Sequence, residues 1–241
     1  MTAAAESLQG RTVIVTGATR GIGRAVAIHL AREGARLALC GRDETALAEV
    51  AGLVGESPGA PHFTQAFDLA VEGDVLAFYR AAKEAVGTPD VLINNAGYNS
   101  RKAPLTEVTG EEFDQLLAVN LKAPFLLARE CLRDMAPRGS GHIVNILSTV
   151  CLLSMETMGA YTASKAGLEG LTGVLLKEAR PHGVRVSALY PGGTDTDFRP
   201  QARPDYMSAE SVAKLVQAVL TLPEDLIVQG ITFRPPVESN F

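Results

Sequence analysis

The chain has 241 residues, with 22 Lys and Arg against 27 Asp and Glu and a formal net charge of −5. A composition of 46% hydrophobic and 20% charged residues is that of a folded globular protein and excludes a disordered one. The acidic balance removes any global electrostatic reason to bind nucleic acid or an anionic membrane, and charged residues interrupt every apolar run before it reaches the length of a membrane span.

A chain of this length buries roughly 70–75% of its unfolded surface, so its core needs no metal or disulfide staple. The three cysteines, Cys40, Cys131 and Cys151, are odd in number and widely spaced, which argues against a disulfide framework or a zinc site and favours a reducing cytoplasm. Residues 1–10 carry neither a basic stretch nor an apolar one, so they do not read as a secretory signal.

Taken in order, residues 12–16 (TVIVT) read as a buried strand. Residues 22–33 read as a helix, with Ile22, Val26 and Leu30 on one face and Gly34 as its terminating C′ residue. A strand at 36–40, a helix at 44–54, a weaker strand at 61–66, a helix at 71–86 and a strand at 91–94 follow. Residues 111–135 form a long helical stretch in which Pro124 predicts a kink or a local irregularity. Gly139 and Gly141 break the chain before a strand at 142–147; a helix at 160–179, a strand at 184–189, a helix at 208–222 and a last strand at 231–234 complete it. Strands alternating with helices of this length predict an α/β fold. The expected form is a doubly wound parallel sheet of Rossmann type, a three-layer α/β/α sandwich in one domain spanning the chain. Its ligand crevice should lie at the carboxyl ends of the strands.

The turn after the first strand places Gly17, Gly21 and Gly23 in a G-x-x-x-G-x-G spacing directly before a helix. Glycines there permit a tight turn and close backbone approach to a pyrophosphate, and the helix N-terminus offers N–H donors. At the end of the second strand, where an acid would receive a ribose 2′-hydroxyl, stands Gly41 followed by Arg42. A guanidinium suits a 2′-phosphate, and Arg20 lies within reach, so NADP(H) is favoured; Asp43 would serve NAD(H) if the strand ran further.

Asn94-Asn95-Ala96-Gly97 closes the fourth strand, Asn120 lies mid-helix, Ser148 closes the fifth strand, and Tyr161 and Lys165 are spaced i, i+4 on one helix face. With the glycine turn, these elements resemble the short-chain dehydrogenase/reductase family over nearly the whole chain. The resemblance implies an NADP(H)-dependent oxidoreductase acting between a carbonyl and a secondary alcohol. Tyr161 would be the proton donor and acceptor, Ser148 would hold the substrate oxygen, Lys165 would sit beside the phenol and the nicotinamide ribose, and Asn120 would hold a water leading to Lys165. It further implies cofactor contacts from Gly17, Thr19, Arg20, Gly21, Ile22, Gly23, Arg42, Asp68, Leu69, Asn95, Ala96, Gly97, Tyr161, Lys165, Pro191, Gly192, Thr194 and Thr196. A homodimer or homotetramer is implied as well. Thr194 departs from the family, which has an aliphatic residue there, and the usual Val-Asp-Gly-Gly ending is replaced by Gly230-Ile-Thr-Phe-Arg-Pro-Pro and a polar tail.

The apolar residues Val150, Leu152, Leu153, Met155 and Met158 are expected to border a substrate crevice, with Tyr98 and Asn99 opposite. Residues 194–206 read as a short lid whose Arg199 and Arg203 either meet an acidic substrate tail such as a phosphopantetheine carrier or are solvated, the solvated reading being preferred. Two alternatives remain open: a 3-oxoacyl-carrier-protein reductase, which shares every motif, and a cofactor-sensing protein on the same fold. His29, His62, His142 and His182 are scattered and suggest core or surface roles, with no metal site.

Overall fold

The structure, a computed structural model, describes residues 7–60, 62–99, 101–196, 203–223 and 225–239. Seven parallel strands form one sheet in the order β3-β2-β1-β4-β5-β6-β9: β1 Thr12–Thr16, β2 Arg36–Gly41, β3 Phe63–Ala66, β4 Val91–Asn94, β5 Gly141–Ile146, β6 Val184–Pro191 and β9 Gly230–Phe233. A two-residue parallel ladder, β7 Thr194–Asp195 with β8 Met207–Ser208, lies apart from it. The helices are α1 Gly21–Arg32, α2 Glu44–Gly55, α3 Glu72–Val86, α4 Gly110–Leu117, α5 Ala123–Met135, α6 Gly159–Ala179 and α7 Ala209–Leu220.

All five residues of β1 are buried, as a strand covered on both faces requires. Alternate side chains enter opposite layers: Val13 and Val15 pack with α1, α2 and α7, and Ile14 packs with α3, α5 and α6. The helix α1 ends as its sequence predicts. Gly34 has φ +83°, its N–H donates to Ala31 and the Ala35 N–H donates to Leu30, which is a Schellman closure.

The stretch 111–135 is not one kinked helix. It is α4, a π-helical turn at Ala118–Lys122, and α5. Pro124 sits in the first turn of α5, where its missing N–H is tolerated, and the irregularity falls just before it, around Asn120. The start of α4 is set by Thr109 and Glu112, which form a capping box absent from the sequence reading.

A buried polar chain joins three elements that carry the site. Asn94 at the end of β4 donates to Asn145 of β5 at 2.9 Å, Asn145 donates to Thr172 of α6 at 2.8 Å, and Thr172 donates to the Leu168 carbonyl. These bonds set the depth at which α6 lies against the sheet. Asn145→Leu would leave the Asn94 amide deprived of this acceptor and Thr172 without its donor in a dry layer. The variant is expected to lose about 1–3 kcal/mol in urea unfolding; an unchanged midpoint would mean that the chain does not support the packing of α6.

Candidate active site

The sheet order reverses between β1 and β4, so the loops after these strands part and open a crevice. They are tied at its floor. The Thr16 hydroxyl accepts the N–H groups of Asn95 and Ala96 at 3.1 and 3.0 Å, and the Asn95 amide donates back to the Thr16 carbonyl at 2.9 Å. Backbone meets backbone here: a Cβ on Gly17 would lie 2.8 Å from the Ala96 Cα, and one on Gly23 would strike the Gly17 carbonyl oxygen. Gly17 and Gly21 also have positive φ, +67° and +54°. No side chain caps α1 and no acid lies in its first turn, so its N-terminal donors are open to an anion. These features fit the pyrophosphate of a dinucleotide.

A cleft of about 710 Å³ runs from this turn across the carboxyl edge of the sheet. At one end lie Thr19, Arg20, Ile22, Gly41, Arg42, Asp68 and Leu69. The strand β2 ends at Gly41, and Asp43 beyond it caps α2 by accepting the Ala46 N–H at 3.0 Å. A Cβ on Gly41 would collide with the methyl group of Thr19. Arg42 is exposed, its guanidinium carbon 5.6 Å from the centre of the Tyr98 ring.

At the other end the structure gathers Ser148, Tyr161 and Lys165 around the cleft, with Asn120 behind them. Lys165 is buried and donates to the Ile146 carbonyl at 2.9 Å; loss of water pulls its ammonium down to about 8. Tyr161 is nearly buried in a cluster with Leu116, Val150, Met158 and Ala160. The Ser148 hydroxyl accepts the Val150 N–H at 3.3 Å, capping a short helical turn. Asn120 is fully buried and clamps Tyr98 at both backbone groups, accepting its N–H at 2.7 Å and donating to its carbonyl at 2.8 Å. Its amide also donates to Ser164, whose hydroxyl donates to the Tyr161 carbonyl. Both amide hydrogens are thus engaged away from Lys165. Its own backbone carbonyl lies four residues before Pro124, which has no N–H, so it lacks the donor of a regular helix.

The segment after β6 borders the same end through Pro191, Gly192, Thr194 and Thr196. Thr194 is buried in β7, its hydroxyl on the Gly192 carbonyl, and Thr196 packs against Gly21. Of the expected apolar wall, Val150, Leu153, Met155 and Met158 line the cleft together with Tyr98. Leu152 does not; it is half exposed and borders a separate shallow pocket with Thr232 and Arg234. Asn99 is turned to the Met158 sulfur. Arg199 and Pro200 of the expected lid lie outside the described residues. Arg203 is not simply solvated: it donates to the Tyr206 hydroxyl at 2.7 Å, stacks over that ring and lines the cleft.

Arg234, Val237, Glu238 and Ser239 of the C-terminal tail also line the cleft, and no sequence signal marked them. Ser164, Asn145 and Thr172 were missed too; only their spacing from Tyr161 and their place on buried faces could have drawn notice. Three of the four histidines are structural in their contacts. His29 meets Gln217, His62 bridges Leu37 and Val54, and His142 meets Ser187 and is driven by burial down to about 3. Among the described residues no group of three or more His, Cys, Asp or Glu side chains could hold a metal ion, and no helix is long and apolar enough to cross a membrane.

Comparison with known proteins gives this geometry a family. The family model described as short chain dehydrogenase matches residues 11–207. Gluconate 5-dehydrogenase from Gluconobacter oxydans is 38% identical over 192 residues, covering 80% of this chain and 74% of its own. A metagenomic short-chain oxidoreductase solved in complex with NADP is 36% identical, with a TM-score of 0.86 over 97% of this chain and 100% of that one. An alcohol dehydrogenase from Thermococcus sibiricus, complexed with 5-hydroxy-NADP, is 28% identical, with a TM-score of 0.88 over 96% of this chain and 99% of that one. With a Rossmann-type sheet, a glycine turn at its switch point and Ser148, Tyr161 and Lys165 at its carboxyl edge, this chain belongs to the short-chain dehydrogenase/reductase family of oxidoreductases.

Proposed function

We propose that this protein transfers hydride between NADP(H) and a carbonyl or secondary alcohol, with Tyr161 as the group that gives and takes the proton. The observation that carries this reading is that Tyr161 and the buried Lys165 ammonium share one face of α6 and line, with Ser148, a cleft that begins at the glycine turn. Bound cofactor would supply the hydride to, or receive it from, the substrate carbon. The chain's own groups handle the oxygen. Ser148 holds it by a hydrogen bond, and Tyr161 donates a proton to it during reduction or accepts one during oxidation. A phenol near pKa 10 is a poor base at neutral pH; a nearby ammonium in a dry site favours its phenolate. The Asn120 carbonyl, lacking its regular helical donor, is the acceptor through which a water reaches Lys165. Apolar Val150, Leu153, Met155 and Met158 favour a medium-sized, largely apolar carbonyl compound.

Preference for NADP(H) is supported by three features of the ribose end. Gly41 has no room for an acidic side chain, Asp43 is engaged as a helix cap, and Arg42 is exposed at the cleft. Two solved relatives were obtained with NADP or a derivative of it. We read the chain as one domain with its substrate crevice built in, assembling as a homodimer or homotetramer in a reducing cytoplasm. Retention of both Tyr161 and Lys165 weighs against a non-catalytic cofactor sensor, and a panel that includes 3-oxoacyl thioesters separates a carrier-protein reductase from a general carbonyl reductase.

Tyr161→Phe is expected to lower kcat/KM for carbonyl reduction by about 10²–10⁴-fold while NADPH binding persists; parental turnover on every substrate of a panel would refute the proton role. Arg42→Asp is expected to weaken NADPH binding about tenfold or more and to leave NADH binding equal or better. A parent protein that prefers NADH in fluorescence titration would overturn the cofactor reading. Lys165 adds a stability signature. Its ammonium is held near 8 in the folded chain against an ordinary 10.5, so between these values the unfolded chain binds more protons and native stability rises with pH. Relative to Lys165→Met, the parent should therefore gain roughly 3 kcal/mol between pH 8 and 10.5 in urea unfolding. A difference that stays flat across this range would mean the ammonium is well solvated.

A further inference from the structure

The tail after β9 returns to the cleft. Pro235 and Pro236 turn it, with the Glu238 N–H donating to the Pro235 carbonyl at 3.1 Å. This brings the Glu238 carboxylate onto the segment after β6. One oxygen, Oε1, accepts the Gly193 N–H at 2.8 Å. The other, Oε2, is buried without a hydrogen bond among the described residues and lies 3.6 Å from Nη1 of Arg234; the two side chains are only 16% and 10% exposed. The same short stretch of backbone is held at two further points: the Gly193 carbonyl accepts the Met207 N–H, and the Gly192 N–H donates to the Phe233 carbonyl at 2.8 Å.

The paired glycines are shaped for this contact. A Cβ on Gly192 would lie 2.6 Å from Glu238 Oε2 and 2.9 Å from Arg234 Cγ, and one on Gly193 would strike the Tyr206 ring and lie 2.7 Å from Glu238 Oε1. The carboxylate and the aromatic ring therefore press on bare backbone. The clamped stretch leads directly into Thr194 and Thr196, which line the cleft beside the glycine turn.

We propose that Glu238 is a positioning residue: its carboxylate, neutralised by Arg234, pins the Gly193 peptide and so fixes the 191–196 segment in the shape that receives the nicotinamide end of the cofactor. The inference rests on the reading of the cleft as a dinucleotide site. A charged acceptor on a backbone N–H is among the stronger hydrogen bonds in a protein, and here it is largely shielded from water. The tail becomes part of the cofactor wall although it lies far in sequence from the glycine turn.

The test compares the parent, Glu238→Ala and Glu238→Gln by hydrogen exchange of the unliganded protein and by NADPH titration. Glu238→Ala is expected to speed exchange across 191–196 and to weaken NADPH binding, each by about tenfold or more. KM for NADPH should rise accordingly, while kcat at saturating cofactor changes far less. Glu238→Gln keeps an oxygen acceptor for Gly193 and should recover most of the affinity. Should Glu238→Ala fail to fold, Arg234→Met, which strands the carboxylate, carries the same two readouts. Unchanged exchange at 191–196 overturns the clamp, and faster exchange with parental NADPH affinity overturns its positioning role. A Gln variant as weak as the Ala variant shows that shape and acceptor are not what matter and overturns it as well. A parent that binds neither NADPH nor NADH defeats the dinucleotide reading and this proposal with it; the exchange measurement, made without cofactor, separates that result from failure of the clamp alone.

Discussion

The contact between the loops after β1 and β4 governs the rest of this molecule. Thr16 and Asn95 tie two strand ends at the point where the order of the sheet reverses, and the bare backbone of Gly17 and Gly23 lets them approach within contact distance. A parallel sheet buried on both faces can admit a ligand only at its strand ends. The width of the crevice there depends on how closely these two loops meet. Any side chain at Gly17 or Gly23 would wedge them apart, and the N-terminus of α1 would no longer face the cleft.

Behind that tie lies a second layer of polar bonds in a nearly dry interior. Asn94, Asn145 and Thr172 join β4, β5 and α6, and Asn120 with Ser164 joins the π-helical turn to the same helix. The helix so anchored carries Tyr161 and Lys165. Holding an ammonium in this place opposes stability, since its only described donor contact is to the Ile146 carbonyl.

The wall of the cleft beyond the glycine turn is assembled from pieces distant in sequence. Met155 and Met158 come from the connection before α6, Arg203 and Tyr206 from the segment before β8, and Val237 and Glu238 from the tail. Arg234 is paired with Glu238, while Arg203 keeps its charge, donating to the Tyr206 hydroxyl and stacking on its ring. The cleft thus combines an apolar wall with a matched ion pair on its rim, and Arg20 and Arg42 stand at the end beside the glycine turn.

Local chemistry was enough to reveal the alternation of strands and helices, the glycine turn, the Schellman end of α1, and the i, i+4 pairing of Tyr161 with Lys165. Each depends on neighbours within a few residues, which the chain order displays directly. The π-helical turn around Asn120 was visible only as a proline in a helix, because a proline shows that a bond is missing and not where the backbone will absorb it. The outward turn of Leu152, the stacking of Arg203 on Tyr206 and the return of Glu238 to Gly193 had no local signal. They are decided by which surfaces meet once the sheet has closed, across separations such as the 45 residues between Gly193 and Glu238. The sequence by itself determined an acidic, doubly wound α/β chain with its glycine turn, Asn95 and Ser148 just after strands and Tyr161 spaced i, i+4 from Lys165 on one helix face. Only the tertiary structure decided how deep Lys165 lies, which residues wall the cleft, and that residues 237–239 help to shape it.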